Sequence, residues 1–128
     1  MAASALNVLY SNASAITASF TGSTVTGTAY GPTPMGGHVY QLDCGAATGS
    51  GSLVLAIQSL DKSDGTTWKT VGTYDAITTT TASQAQTMRI VVPKDVSLRV
   101  IGTVTGTISV AGTTSVKQAT GLDQFREY

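Results

Sequence analysis

Residues 59–74, SLDKSDGTTWKTVGTY, hold Asp61, Lys62, Asp64 and Lys69 beside the chain's one tryptophan, Trp68. Acids spaced around a glycine could ligate calcium, which takes hard oxygen donors closely placed on a sharp turn. The spacing does not suit it. Asp61 and Asp64 stand at relative positions one and four, and Gly72 falls where a bidentate acid belongs. The plainer chemistry is that of a turn. Asp64 would bond its own backbone and Gly65 would supply a positive φ, so that a strand over 53–60 returns as one over 66–74. On that reading Asp61, Lys62, Asp64 and Gly65 form an exposed hairpin tip.

A sugar-associated turn motif, Ser-x-Asp-x-Gly-x-Thr-Trp, comes closer than the calcium loop. Residues 61–68 match its Gly65, Thr67 and Trp68 but exchange the first Ser and Asp positions. The motif is itself a hairpin turn that normally recurs through propeller repeats, and here it occurs once. A carbohydrate-binding module with Trp68, Tyr74 and Tyr40 as a stacking platform is therefore kept as an alternative function, although a lone tryptophan is expected in the core.

Other reactive groups are sparse. Cys44 in VYQLDCG fits a small buried hydrophobe better than a nucleophile, and one cysteine cannot build a disulfide framework. His38, the one histidine, lies five residues from Asp43, an odd spacing that points the two to opposite faces of a strand. Ligands for a His/Cys metal site are lacking, and no glycine-rich loop leads into a helix. The expectation is a protein that is not an enzyme and needs no cofactor or metal.

The elements that must carry these residues read as strands. Charged residues are 11% and aromatics 6%, with β-branched Thr and Val abundant, and stiff branched side chains suit a pleated, half-buried surface. The segment 15–20, AITASF, alternates with Ile16, Ala18 and Phe20 on one face. HVYQLDC (38–44) puts Tyr40, Leu42 and Cys44 together. SLVLAIQSL (52–60) is the most continuously apolar run, the mark of a central strand. In TTWKTVGTYDAI, Trp68, Thr70 and Tyr74 share a face by simple alternation. GAATGSG (45–51) reads as a flexible link and TTTTASQAQ (78–86) as a polar loop or loose edge. VSLRVIGTV (96–104) alternates Val96, Leu98, Val100 and Val104 against Ser97, Arg99, Ile101 and Thr103, and Thr105-Gly106 turns into TISVAG. About seven to nine short strands with turns every 8–12 residues predict an all-β protein, an antiparallel β-sandwich or small barrel. Its expected division is an extended N-terminal arm over 1–14, a β-sandwich domain over 15–118 and a C-terminal tail over 119–128.

The charge distribution is uneven. Seven acidic and seven basic residues cancel, so no electrostatic footprint for nucleic acid exists. Residues 1–42 contain no Asp, Glu, Lys or Arg at all. Such a stretch is either bound along a neighbouring subunit or a Thr/Ser-solvated pair of strands. On the first reading the candidate interface is Leu6, Val8, Leu9, Tyr10, Ile16 and Phe20, with Phe125 and Tyr128 from the tail. No apolar run approaches the roughly 20 residues that span a bilayer, and MAASALNVLY lacks the basic start of a signal peptide. Residence in a cytosol without membrane association is expected.

Residues 53–110 resemble small β-sandwich virion proteins of tailed bacteriophages. The likeness rests on VLAIQSLDKSDGTTWKTVGTYDAIT and TMRIVVPKDVSLRVIGTVTGTISV. In such proteins a strand ending in a charged hairpin is followed by a Thr-rich loop. A strand like that of Leu98, Arg99 and Val100 then leads to a hairpin like that of Thr105 and Gly106. The resemblance implies a capsid decoration (cement) protein without a cofactor, often trimeric, that binds the major capsid protein in a virion assembled in host cytoplasm. A neck, tail or fibre-attachment component is the alternative within that class. If 1–14 is an arm, deleting it should abolish shell binding and leave a folded domain.

Overall fold

The computed structural model describes residues 8–25, 38–91 and 96–118. Leu6, Phe125, Tyr128 and the tail over 119–128 lie outside the described residues. The strands are β1 (Val8–Asn12), β2 (Phe20–Thr21), β3 (His38–Cys44), β4 (Ala47–Gly49) and β5 (Ser52–Leu60). They continue as β6 (Trp68–Thr73), β7 (Gln84–Ile90), β8 (Leu98–Thr105), β9 (Ile108–Val110) and β10 (Thr114–Gln118). Every pairing is antiparallel, so the protein is all-β, as its composition predicts.

One sheet has the order β1-β10-β3-β7 and the other β2-β8-β5-β6, with β4 and β9 as a short two-stranded bridge. A single ladder runs through all three. It passes from Tyr40↔Gln118 and Asp43↔Ser115 through Ala47↔Val110 and Gly49↔Ile108 to Ser52↔Thr105 and Ser59↔Leu98. Residues 38–60 and 98–118 are therefore one long two-stranded ribbon, bent where β4 and β9 lie and folded over to supply the centre of both sheets. Strands β1 and β2 flank one side of it, and β6 and β7 the other. This is the strand order of a jelly roll, an architecture that closes a sandwich by folding long hairpins.

The bend sets a steric requirement. A Cβ on Gly51 would run into the Thr105 carbonyl oxygen at the end of β8 and the Thr107 nitrogen of the turn that follows it. The link expected to be flexible, 45–51, is thus partly ladder: Ala47–Gly49 pairs with Ile108–Val110, and the Thr79 hydroxyl donates to the Gly49 carbonyl.

The two sheets enclose one core. Leu53, Leu55 and Ile57 of β5, Leu98 and Val100 of β8, and Tyr40, Leu42 and Val116 of the opposite sheet are buried in it. Strand β5 is central, as its apolar run predicts, and β8 alternates inside and outside as read from the sequence. Burying apolar surface stabilises by roughly 25 cal/mol per Å².

Three expectations change. Residues 8–12 of the expected arm are strand β1, paired with β10, and Leu9 is only 3% exposed. Removing 1–14 would uncover the core rather than trim an appendage. Residues 15–20 are not a regular strand either. Ile16 makes an isolated bridge to Val110 and is buried, Ala18 is exposed, and Phe20 pairs with Gly102 in the other sheet. Finally, Trp68 and Tyr74 do not share a face. Ile57 pairs with Gly72 and Gln58 with Thr70, which leaves Val71 as a bulge residue. A bulge inserts one residue and inverts the alternation beyond it. Tyr74 therefore points into the core, where its hydroxyl donates to the Tyr40 carbonyl at 2.9 Å, and Trp68 points out.

Candidate functional site

The hairpin of residues 59–74 is built as its sequence predicts. Asp64 Oδ1 accepts the Thr66 and Thr67 backbone N–H groups at 2.9 and 3.0 Å, and the Thr67 hydroxyl donates to Oδ2 at 2.5 Å. Asp61 Oδ1 accepts from the Ser63 N–H and hydroxyl, and its other oxygen lies 3.0 Å from Lys69 Nζ. Gly65 takes φ 70°, which a residue with a Cβ resists. Both carboxylates are consumed inside the turn. Lys62, Asp64 and Gly65 are exposed and Asp61 partly so.

These bonds lower both acids. The Thr67 hydroxyl, then the Thr67 and Thr66 N–H groups, hold Asp64 down at about 2, and the Ser63 N–H leads the lowering of Asp61. A depressed carboxyl contributes order above its unfolded value, near 3.8, and loses it as pH falls toward the folded value. The amide shifts of Thr66 and Thr67, followed by NMR through an acid titration, are expected to move with a midpoint near 2. A midpoint at the ordinary value would contradict the geometry.

Cys44 is buried. Burial, and secondarily the charge of Asp43, push its thiol up, away from the thiolate that a nucleophile requires. Burial likewise raises the Tyr74 phenol, with Asp43 adding to it. Among the described residues no group of three or more His, Cys, Asp or Glu is placed to hold a metal ion. Tyr40 and Tyr74, buried at 0% and 4% exposure, form no surface platform with Trp68. Trp68 itself, expected in the core, is half-buried on the outer face, with the Arg99 guanidinium 4.2 Å from its ring centre.

The surface with the clearest character lies where β1 meets β2. The Tyr10 and Phe20 rings stack at 4.5 Å, nearly parallel, across the gap between the two sheets. Phe20 can lie there because Gly102 of β8 has no side chain; a Cβ would collide with the ring. Around this pair a groove of about 500 Å³ runs from Val8 past Ser11 and Asn12 to Gly22 and Val25, and no charged residue lines it. Val8 is 46% exposed at its mouth. On the opposite side of the sandwich, between β6 and β7, the Met88 thioether closes over Gly72.

Of the expected interface residues, the fold gathers Val8, Tyr10 and Phe20 at this groove. It buries Leu9, which only contributes to the groove wall, and Ile16. The role of Asn12, whose amide donates to the Tyr10 hydroxyl at 3.2 Å, is not visible in the sequence.

Fold and surface together define an antiparallel β-sandwich of jelly-roll order with one neutral, open side. No protein family, curated protein or solved structure matches the chain. Among the described residues no helix is long and apolar enough to cross a membrane.

Proposed function

We propose that this protein is a capsid decoration (cement) protein, which binds the major capsid protein through the neutral β1–β2 edge and stabilises the assembled shell. The observation that carries the reading is the outer strand β1, which among the described residues is an uncharged sheet edge. Natural sheets protect their outer strands with charge, proline or bulges, because unpaired N–H and C=O groups recruit other chains. Strand β6 carries Lys69 and β7 carries Arg89, whereas β1 reads Val-Leu-Tyr-Ser-Asn and has neither charge nor proline. Its one irregularity is a shift of register between Val8 and Tyr10.

An edge of this kind accepts a partner's strand by β-augmentation, with backbone bonds for affinity and the groove for side chains. Copies on a shell, expected as trimers, act by mass action. Binding the assembled lattice and not its free subunits stabilises the lattice. The uncharged run over 1–42 supports this reading, since β1, β2 and the groove all fall within it.

The test is co-sedimentation with shells of the major capsid protein encoded in the same genome. Ser11→Lys places a charge on an exposed position of β1 and leaves the core untouched. Its folding stability is expected within about 0.5 kcal/mol of the parent, while shell occupancy falls at least tenfold, the scale of about 1.4 kcal/mol. Full occupancy by a folded Ser11→Lys protein overturns the edge assignment. Failure of the parent protein to bind any shell overturns the function.

A further inference from the structure

The outer face of the sheet β2-β8-β5-β6 carries a second constellation that the edge reading does not use. Arg99 of β8, Gln58 of β5 and Thr70 of β6 lie side by side, because Gln58 pairs with both Arg99 and Thr70 in the ladders. Arg99 Nε donates to Gln58 Oε1 at 2.9 Å, and the Gln58 amide donates to the Thr70 hydroxyl at 3.4 Å. The guanidinium carbon lies over the Trp68 ring, 4.2 Å from its centre. Held at Nε and from beneath, the group has its Nη donors left over. Among the described residues no carboxylate forms an ion pair with it.

Beside it a groove of about 430 Å³ is lined by Gln58, Arg99, Ile101 and Thr103 and by Ser19 and Thr21 from the β2 side. A half-buried guanidinium fixed at two points has already lost the freedom that usually weakens a surface ion pair.

We infer that this groove binds the carboxylate of an acidic side chain on an extended segment of a partner protein, through the Nη donors of Arg99. A guanidinium meets a carboxylate in a planar, two-bond arrangement that a neutral amide cannot reproduce. A sugar ring stacks on a free aromatic face, and each aromatic ring nearby already has a face taken. Arg99 covers Trp68, and Phe20 lies between Tyr10 and the Gly102 backbone. The two grooves meet at Phe20 and Thr21, but Arg99 and Gln58 line only this one and Ser11 only the other, so variants at those positions test each by itself.

The one tryptophan of the chain is the reporter, since a ligand on Arg99 alters the charge over its ring. Trp68 emission is followed while a capped Gly-Asp-Gly-Glu-Gly peptide is titrated to millimolar concentration. The controls are the matching Gly-Asn-Gly-Gln-Gly peptide and an oligoglucuronate. A saturable change with the acidic peptide alone is expected, weakened at least about tenfold in Arg99→Gln, the loss of a charge-assisted pair. Gln58→Ala, which frees Nε without removing the charge, is expected to weaken it less.

Thermal unfolding of each variant establishes that it is folded, and should Arg99→Gln fail to fold, Gln58→Ala and the paired peptides still decide the matter. Equal responses to the acidic and neutral peptides, or an undiminished response in folded Arg99→Gln, overturn the site. Binding of oligoglucuronate in place of the peptide overturns the assignment to a protein partner.

Discussion

Gly51→Ala is expected to destabilise the protein by about 3 kcal/mol, the upper part of the range for forcing atoms into packed space. Its new Cβ would meet main-chain atoms of Thr105 and Thr107, which no side-chain rotation can move. Those atoms lie at the end of β8 and in the turn into β9, at the bend of the folded ribbon, so relief requires the ribbon to open at the point that joins the sheets. Gly65→Ala makes the comparison. Nothing lies within 4 Å of its Cβ, and the cost is the positive φ alone, about 1 kcal/mol. Denaturant unfolding of the two variants reports the order directly. A Gly65 variant as damaged as the Gly51 variant would mean that the bend is not the constrained element.

Leu55→Ala carries the other large effect, a loss of about 2–5 kcal/mol from transferred methyl groups and the cavity they leave. Leu55 is 0% exposed on a strand with neighbours on both sides, and its carbonyl accepts the Tyr74 N–H at 2.9 Å. That ladder fixes the strand, so the surroundings have little room to collapse into the hole. Val54, its neighbour on the outer face, is only half-buried, and Val54→Ala is expected to cost under about 1 kcal/mol. For a domain whose whole stability is about 5–15 kcal/mol, the first loss is large and the second is not. Comparable losses in the two would contradict the inside–outside assignment of β5.

What the sequence made legible follows from its local rules. The period-two pattern of Leu98, Arg99 and Val100 placed those residues correctly, because nothing interrupts that strand. Asp64 and Gly65 announced their turn because the bonds that make it are local. What the sequence hid depends on distant partners. Val71 looks like any strand residue, and only pairing against Ile57 and Gln58 shows it to be the extra one. That one residue decides that Tyr74 enters the core and that Trp68 does not. Ala47–Gly49 reads as a flexible link, since its strand character comes from Ile108–Val110, some sixty residues away. Leu9 looked like part of an arm for the same reason: its partner strand, β10, comes at the far end of the described chain.

The candidate surface was legible by what it lacks. The charge-free run over residues 1–42 contains β1, β2 and the neutral groove between them. The groove itself needed the meeting of Tyr10 and Phe20 across two sheets, with Gly102 beneath. The Arg99–Trp68 contact was out of reach altogether, because it joins two strands across a third.

The most direct measurement is a cryo-electron microscopy reconstruction of shells incubated with the protein. Density for the sandwich is expected at symmetric positions on the shell, with β1 and the Tyr10–Phe20 groove against the capsid protein and the Asp61–Gly65 hairpin facing solvent. Sandwich density with β1 turned to solvent, or an undecorated shell beside protein bound at the tail, would contradict the account.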